Sequence, residues 1–494
     1  MRATRRFWLE WLGVFLACAA VCAYFQFQTP FLPEEDCYYH IKFAWLVRQH
    51  WWPRSGFQWA YFSFLRDGFS DGEPLFHLLL VPFTFGDLAL GGKSAGVLLS
   101  AFALSSFYAI LALNGVRTRL YWFWLLLMGG RFFWLRILDV RPQVLSVALL
   151  MWSLHFLLAG RRRAFAALSF VYPLSYVAAF LPQVFAAVRW AYARALGRRG
   201  EGWMLAWGLS AYALATLAHP YFPKNLRFFY VQNVYTMWLA VVSDVQLSQG
   251  VELNSMSARQ LGTAHLPLLL HLTVLAFVFM HRRPPVSERT RTLFPIVLLV
   301  VAMAGMVSRF IEYAVPVATL FCAFLAEDVL AGLSLDVPPP GRRRWLVFAW
   351  AAAVAVGSFT ATTTIRTMMA NDVWGPRFEA LSRALAQVPD NAMVYTCNWD
   401  EPAELMYYAH RLRYPAMFDP AFMYYWDAAL WKKSSDVANG RLRPDETVRV
   451  LKEDFGAHYG LCSSSFQNLR ALIVRDPRFR IIAEDSNGFV FRLP

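Results

Sequence analysis

Residues 33–40 read Pro-Glu-Glu-Asp-Cys-Tyr-Tyr-His, and they closely follow the first apolar run that is long enough to cross a membrane. A carboxylate at the end of a membrane span is costly to keep there unless it meets water, a partner or a metal ion. The acidic cluster therefore marks a candidate functional site, and the alternative is the solvated start of a loop. The choice between a functional site and a loop depends on which other residues of the chain lie at the same depth in the membrane.

The composition predicts a polytopic helical membrane protein. Apolar residues make up 57% of the 494-residue chain and charged residues only 16%, whereas soluble proteins carry about 25% charged residues. Several stretches reach the roughly 20 apolar residues that cross a bilayer. The net charge of +14 does not indicate nucleic-acid binding, because the arginines stand in short clusters between apolar runs, as topology signals do.

Eleven spans are expected. The segment 164–193 is short for two crossings and is interrupted by Pro173 and Pro182, so a re-entrant hairpin is an alternative there. The run 75–90 is interpreted as an interfacial or re-entrant segment, or as an extension of the next helix. The predicted spans are 8–28, 94–115, 119–136, 142–160, 164–178, 179–193, 203–218, 264–281, 292–307, 313–330 and 345–363.

This count places every arginine cluster on one side, which the positive-inside bias makes the cytoplasm. The arginine-rich N-terminus leads into a long apolar run without a small-residue cleavage site, which predicts a retained anchor. The N-terminus is then cytoplasmic and the C-terminal part extracytoplasmic. The first external loop, 29–92, alternates aromatic and basic residues, as interfacial amphipathic helices do.

The composition changes near residue 364. A transmembrane domain of residues 1–363 and an extracytoplasmic α/β domain of residues 364–494 are therefore predicted. The domain contains Cys397 and Cys462, for which a disulfide is one option that spacing cannot decide. Strands are predicted at 393–397, 413–418, 458–464, 480–485 and 489–494, and helices at 445–454 and 466–474.

Several charged residues fall at the predicted outer ends of spans. Carboxylates from separate segments suit Mg²⁺ or Mn²⁺, and a nearby arginine suits phosphate. Together they indicate chemistry on a lipid-linked phosphate. The residues concerned are Asp36, Asp139, Glu252, Arg309 and Glu312.

Each position has a structural alternative. Asp139 can pair with Arg136 or Arg141, and Arg309 can pair with Glu312 one turn later. Glu252 can be a solvated loop carboxylate. His219, before Pro220, can simply end a helix, while His77 and His155 are interpreted as packed or hydrogen-bonded residues rather than ligands.

At these residues the chain resembles the GT-C superfamily of polyprenol-dependent glycosyltransferases, and within it the catalytic subunit of oligosaccharyltransferase. The matching motif after the first span is Asp36-Cys37-Tyr38-Tyr39-His40-Ile41-Lys42. A second Asp after span 3, a Glu in a large external loop and an Arg two spans later correspond to Asp139, Glu252 and Arg309. Of the family's Trp-Trp-Asp-Tyr-Gly signature, which reads the acceptor sequon, only Trp399-Asp400 remains.

The resemblance implies an inverting glycosyltransferase with a polyprenyl-phosphate or polyprenyl-diphosphate donor. It makes Asp36 the catalytic base or the residue that orients the acceptor. Asp139 acts beside it, and Asp36, Asp139 and Glu252 hold the metal ion if one is used. Phosphate or substrate binding is assigned to Arg309, Glu312, His219, His40 and Arg141.

The sequence leaves the acceptor open as a protein, a lipid or a polysaccharide. The partners expected are the polyprenyl-linked donor and membrane lipids, with no nucleic acid, and the location expected is a bacterial inner membrane. Two other functional classes are a transporter or flippase of lipid-linked glycans and a non-catalytic scaffold of an envelope-synthesis complex. The lack of internal repeats and the position of the charged residues at one face speak against the transporter.

Overall fold

A computed structural model describes residues 5–52, 56–198, 202–243, 250–257, 265–332 and 378–493, with scattered positions between 244 and 249 and between 344 and 367. The predicted span 345–363 lies largely outside the described residues. The chain divides into two compact units. The first unit comprises Met1–Gln28, Gly96–Ala218 and Val251–Val373, and the second comprises Thr29–Ala95, His219–Gly250 and Trp374–Pro494.

The apolar runs of the first unit form helices, as predicted. Among the described residues, four helical segments are long and apolar enough to cross a membrane: Arg5–Gln26, Leu88–Leu113, Glu288–Met306 and Ser308–Ala331. The chain is accordingly an integral membrane protein. The other helices of this unit are Arg119–Leu127, Gly130–Leu138, Pro142–Leu158, Arg162–Ser175, Leu181–Ala195, Gly202–Ala218, Leu266–Arg282 and Ile311–Gly332, the last of which directly follows the 3₁₀ turn Ser308–Phe310.

The predicted span 119–136 is not one helix. It breaks into Arg119–Leu127 and Gly130–Leu138. Gly130 opens the second helix with φ of +84°, a backbone conformation that favours glycine. The Gly129-Gly130 pair is the sequence signal for this break.

A sharper bend follows at residues 139–141. The helices Gly130–Leu138 and Pro142–Leu158 meet at 107°. Pro142 disfavours helical backbone at the residue before it, and Arg141 is extended, with φ −131° and ψ 155°. The bend leaves Asp139 and Arg141 on a connection between two helices rather than inside one.

The second unit combines short helices with a four-stranded sheet. Its helices before the sheet are Glu35–His50, Leu65–Gly68, Pro74–Leu80, Lys224–Phe229, Thr236–Val241 and Glu379–Arg383. Those in the sheet region are Glu401–Ala409, Pro420–Trp426, Ala428–Ala438, Pro444–Arg449 and Gln467–Arg475. The run 75–90 thus divides into Pro74–Leu80, the 3₁₀ turn Val81–Thr84 and the start of Leu88–Leu113.

The sheet has the order β1-β2-β4-β3. β1 (Met393–Thr396) runs parallel to β2 (Ala457–Ser463), which is antiparallel to β4 (Gly488–Arg492), and β4 is antiparallel to β3 (Arg480–Glu484). Four of the five predicted strands are confirmed.

The predicted strand 413–418 is wrong. It forms only a single bridge, between Arg413 and Met393. Pro415 has no N–H to donate to a ladder. On its other side the segment accepts the backbone N–H groups of Tyr61 and Phe62 through the carbonyls of Tyr414 and Pro415, at 2.9 and 2.8 Å.

The core of the second unit explains why the first loop belongs to it. Phe57, Phe64 and Phe69 are buried together with Tyr414 and Phe422 of the C-terminal segment. The aromatic residues of the first loop therefore pack inside this unit. Burying several such rings stabilises it, since each removes about 150–250 Å² from water.

Candidate active site

The first unit gathers six charged residues at helix ends, and they are called the arginine–carboxylate cluster. Arg136 lies in the last turn of Gly130–Leu138, and Asp139 and Arg141 lie on the bend that follows. The remaining members come from the 3₁₀ turns Val251–Leu253 and Ser308–Phe310 and from the start of Ile311–Gly332. The members are Arg136, Asp139, Arg141, Glu252, Arg309 and Glu312.

Arg136 connects two carboxylates of this cluster. Its Nη1 donates to Glu252 Oε2 at 2.6 Å, and its Nε donates to Glu312 Oε2 at 2.7 Å. The side chain of Glu312 is only 1% exposed. From the sequence, Arg136 is predicted only to flank Asp139. No local sequence pattern predicts that Arg136 forms ion pairs with both Glu252 and Glu312.

These contacts decide one of the structural alternatives. Among the described residues, Glu312 pairs with Arg136 and not with Arg309. Asp139 is buried and accepts a hydrogen bond from Gln143 Nε2 at 3.2 Å, one turn along Pro142–Leu158.

Glu252 is held in an electropositive setting. Arg141 Nη1 lies 3.9 Å from its Oε2, in addition to the bond from Arg136. Burial raises the pKa of Glu252, but Arg136, Arg141 and Arg309 outweigh burial and lower the pKa well below its usual range. Glu252 is therefore ionised rather than a simple solvated carboxylate.

The turn that carries Glu252 is tied to the turn that carries Arg309. The backbone N–H of Ser308 donates to the carbonyl of Asn254, and its hydroxyl donates to the carbonyl of Glu252, both at 2.9 Å. These bonds fix the position of Arg309 relative to Glu252.

Arg309 differs from Arg136 in its partners. Its Nη2 donates to the hydroxyl of Tyr176 at 3.0 Å. Within the described ranges, no carboxylate oxygen lies within ion-pairing distance of its guanidinium. A half-buried guanidinium that donates to a phenol and, among the described residues, to no carboxylate keeps donors for an oxyanion.

The arginine–carboxylate cluster contains two of the predicted metal ligands, Asp139 and Glu252. Its three arginines balance its three carboxylates, and Glu252 Oε2 already accepts from Arg136. A divalent cation at Glu252 would share the carboxylate with that guanidinium, since the two carboxylate oxygens can bind different partners. Asp36, which belongs to the second unit, Asp139 and Glu252 stay as predicted ligands.

In the second unit, Asp36 stands in the first turn of Glu35–His50 and is half-buried. A carboxylate at this end is favoured by the helix dipole. His40 lies one turn further along the same helix and is buried.

His40 takes part in a buried hydrogen-bonded chain. His77 Nδ1 lies 2.8 Å from Asp71 Oδ2, and His77 Nε2 lies 2.9 Å from His40 Nδ1. If His77 is neutral, its Nδ1 proton faces the Asp71 carboxylate, so His40 must donate from Nδ1 and keep its lone pair on Nε2. The expectation that His77 is hydrogen-bonded is confirmed. The role of Asp71 had no sequence signal.

His219 directly follows the helix Gly202–Ala218, which confirms that it stands at a helix end. Its Nδ1 accepts the backbone N–H of Tyr221 at 3.2 Å. Burial lowers the pKa of His219, and the neighbouring Asp71 only partly opposes this. A neutral imidazole with one nitrogen already engaged is a weak partner for phosphate.

Trp399 and Asp400 lie on the loop between β1 and the helix Glu401–Ala409. The loop is anchored by the disulfide Cys397–Cys462, with a Cα–Cα distance of 5.1 Å. It is also anchored by buried Glu401, whose carboxylate accepts the backbone N–H groups of Cys397, Asn398 and Ser463 at 2.7 to 3.0 Å. Burial, together with Asp400, raises the pKa of Glu401 to about 8 although these three bonds lower it.

A search of protein-family models finds no match, and a search of curated proteins finds none either. Among solved structures, the apo oligosaccharyltransferase of Archaeoglobus fulgidus aligns with a TM-score of 0.64 at 11% identity, over 93% of this chain and 70% of that one. The chain has the GT-C fold.

Two further structures share this GT-C fold. Apo ArnT from Cupriavidus metallidurans aligns over 98% of both chains with a TM-score of 0.58 and 14% identity. The same enzyme bound to undecaprenyl phosphate aligns over 98% of both chains with a TM-score of 0.55 and 15% identity. At these identities the likeness establishes the fold, which confirms the resemblance drawn from Asp36, Asp139, Glu252 and Arg309.

Proposed function

We propose that the protein is a membrane glycosyltransferase that moves a sugar or glycan from a polyprenyl-phosphate or polyprenyl-diphosphate donor to an acceptor. The observation that carries the proposal is Arg309, a guanidinium without a carboxylate partner among the described residues, set in a cluster at helix ends of a GT-C fold. The undecaprenyl phosphate bound by ArnT supports a polyprenyl-linked donor.

The reaction is a single displacement with inversion. The acceptor atom forms a bond to the anomeric carbon while the bond from that carbon to the phosphate oxygen breaks. Asp36 accepts the acceptor's proton, and the leaving phosphate takes the bonding electron pair. Arg309 stabilises the charge that grows on this phosphate, which is the largest contribution available to such a site.

The other residues of the arginine–carboxylate cluster are proposed to position the site rather than to react. Arg136 and Glu312 hold each other and fix the bend and the start of Ile311–Gly332. Arg141, next to Glu252, adds positive charge for the donor phosphate. His40 and His219 are then proposed to orient groups around Asp36 rather than to carry positive charge.

The disulfide supports an extracytoplasmic C-terminal region. Disulfides persist in oxidising compartments and are rare in the cytosol. Together with the positive-inside bias of the arginine clusters, this supports the proposal that transfer takes place at the outer face of a bacterial inner membrane.

The transfer role is tested by Asp36→Asn, with Glu35→Gln as a matched carboxylate-to-amide control in the same helical turn. Membranes holding each variant are assayed for glycan transfer from a panel of undecaprenyl-linked donors. We expect Asp36→Asn to lose transfer by at least about 100-fold and Glu35→Gln to retain it. Wild-type transfer by a well-folded Asp36→Asn protein would overturn the assignment.

Donor recognition is tested separately by lipid binding. Wild-type protein in nanodiscs is expected to bind undecaprenyl phosphate more tightly than undecaprenol, and Arg309→Met is expected to remove that preference. Arg131→Met, an exposed arginine in Gly130–Leu138, is the control. An unchanged preference in Arg309→Met would contradict the phosphate role.

The metal prediction has its own assay. If Asp36, Asp139 and Glu252 hold Mg²⁺ or Mn²⁺, exhaustive EDTA abolishes transfer and either ion restores it. Activity that survives EDTA removes these residues from that role. Translocation of a fluorescent lipid-linked glycan without transfer would instead support the transporter, and neither activity would support the scaffold.

A further inference from the structure

The second unit contains an open cleft of about 540 Å³. One wall is the segment from Gln58 to Arg66, and the other is formed by residues 390–391 and 410–413. The volume lies within the roughly 300–1,000 Å³ of small-ligand sites. All its lining residues belong to this one unit.

The two walls are fixed to each other by hydrogen bonds. The side chains of Gln58 and Trp59 both donate to the carbonyl of His410, each at 2.8 Å. The backbone N–H of Tyr61 donates to the carbonyl of Tyr414 at 2.9 Å. The cleft is therefore formed before any ligand arrives, which lowers the entropy cost of binding.

Two arginines share one aromatic ring at this site. The guanidinium carbons of Arg66 and Arg413 lie 4.4 and 5.0 Å from the centroid of the Tyr61 ring. Each distance is within the range of a cation–π interaction. The ring thus holds two like charges near each other, an arrangement that an anion between them stabilises.

The carboxylates near the cleft do not neutralise the charges of Arg66 and Arg413. The carboxylate closest to Arg66 is the adjacent Asp67, at 3.9 Å and with its side chain 86% exposed. Arg413 forms no ion pair in the described part of the chain. Asp390, the other acidic residue of the lining, is already paired with Arg411 at 2.9 Å.

Arg411 differs from Arg66 and Arg413 in how its hydrogen-bond donors are used. Besides Asp390, it donates to the carbonyls of Leu385, Ala386 and Val388. Its donors are used to hold the chain, whereas those of Arg66 and Arg413 face the cleft without such carbonyl partners among the described residues.

The groups that act on His410 are mostly cationic. Burial lowers the pKa of His410 to about 4, and Lys42, Arg411 and His50 lower it further against the opposing effect of Asp390. A neutral His410 beside several cations agrees with a site that attracts anions.

We propose that this cleft binds a sugar that carries an oxyanion, either a phosphate or a carboxylate, through Arg66 and Arg413. Guanidinium groups bind both oxyanions with paired hydrogen bonds. The cleft volume leaves room for the sugar ring. That this sugar belongs to the acceptor rests on the proposed glycosyltransferase function.

The test is calorimetric titration of the full-length protein in phosphatidylcholine nanodiscs. The probes are glucose 1-phosphate, glucuronate, glucose and inorganic phosphate. We expect glucose 1-phosphate or glucuronate to bind at least about tenfold more tightly than glucose and inorganic phosphate. The tighter of the two charged sugars identifies the oxyanion.

Arg66→Gln and Arg413→Gln, singly and together, are expected to weaken this binding by about tenfold or more. Arg475→Gln, an exposed arginine of the same unit, is the control and is expected to change nothing. Because the Arg66 side chain is 40% exposed, its variant folds even if Arg413→Gln does not. Equal binding of glucose, equal binding of inorganic phosphate, or full binding by Arg66→Gln would each overturn the proposal.

The acceptor role is separated from the transferase role by combining two readouts. Asp36→Asn is expected to retain binding in the cleft while losing transfer. Cleft variants are expected to lose both. Loss of binding with undiminished transfer would overturn the acceptor role alone, and full transfer by Asp36→Asn would overturn the transferase alone.

Discussion

Arg136 and Glu312 form a buried ion pair, with Arg136 Nε 2.7 Å from Glu312 Oε2, between residues 176 positions apart. The pair joins the end of Gly130–Leu138 to the start of Ile311–Gly332. Both side chains are largely removed from solvent, at 10% and 1% exposure. Loss of either partner leaves a buried charge behind.

The first prediction follows from that contact. Glu312→Gln is expected to destabilise the protein by about 3 kcal/mol, because the buried Arg136 loses one of its two carboxylate partners and keeps only Glu252. The thermal midpoint of the purified protein, followed by tryptophan fluorescence, measures the effect. Arg136→Met alone leaves both Glu312 and Glu252 without this guanidinium. Adding Glu312→Leu to Arg136→Met is therefore expected to raise the thermal midpoint, and a double variant no more stable than Arg136→Met would contradict the pairing.

The second prediction concerns pH and Glu401. Burial raises the pKa of Glu401 to about 8 in the folded protein, whereas an unfolded glutamate titrates near its ordinary value of about 4.3. Between these values the folded state binds the extra proton, so the free energy of unfolding falls as pH rises, by up to about 1.4 kcal/mol per pH unit.

Glu401→Gln is expected to flatten this dependence between pH 5 and 8. Thermal midpoints measured across that window in wild type and variant provide the comparison. Glu453→Gln, on the exposed surface of the same unit, should leave the slope as it is. A slope that persists in Glu401→Gln would show that another group causes it.

The third prediction concerns the disulfide. Cys397 and Cys462 are 65 residues apart, so their bond restricts a long loop of the unfolded chain and stabilises the fold by about 2–4 kcal/mol. Reduction, or replacement of both by serine, should lower the thermal midpoint. Maleimide labelling of the denatured protein should modify four cysteines before reduction and six after it, since Cys18, Cys22, Cys37 and Cys322 are thiols. Six labelled cysteines without a reductant would exclude the bond.

The fourth prediction tests the histidine chain. Asp71 accepts from His77, from Trp52 Nε1 at 3.3 Å and from the backbone N–H of Glu73 at 2.9 Å. Asp71→Ala leaves the buried His77 and two partly buried donors without this acceptor, at a cost of about 2 kcal/mol or more. It also frees His77 to change tautomer.

Nitrogen-15 spectra of labelled protein should report His40 with its proton on Nδ1 in the wild type, and a mixture of tautomers in Asp71→Ala. His281→Gln, a change at an exposed histidine of the first unit, serves as the control and assigns its own signal. A wild-type His40 with its proton on Nε2 would contradict the chain of donors inferred from the distances.

Local sequence determined the helices and most of the strands. Apolar runs ended by arginine or proline give helices because the bilayer and the backbone act within a few turns. The strands 393–396, 457–463, 480–484 and 488–492 follow from short apolar runs between turns. The motif from Asp36 to Lys42 resembles the GT-C superfamily at the level of sequence alone.

Tertiary structure decided the partners of the charged and aromatic residues. Arg136 with Glu312, Asp71 with His77, and Arg66 with Arg413 around Tyr61 are contacts that only the folded chain creates. The segment 413–418 is not a strand because Tyr61 and Phe62, some 350 positions earlier, take its carbonyls. The partner of a side chain depends on distance in space and on burial. Neither quantity can be predicted from the neighbouring residues in the sequence.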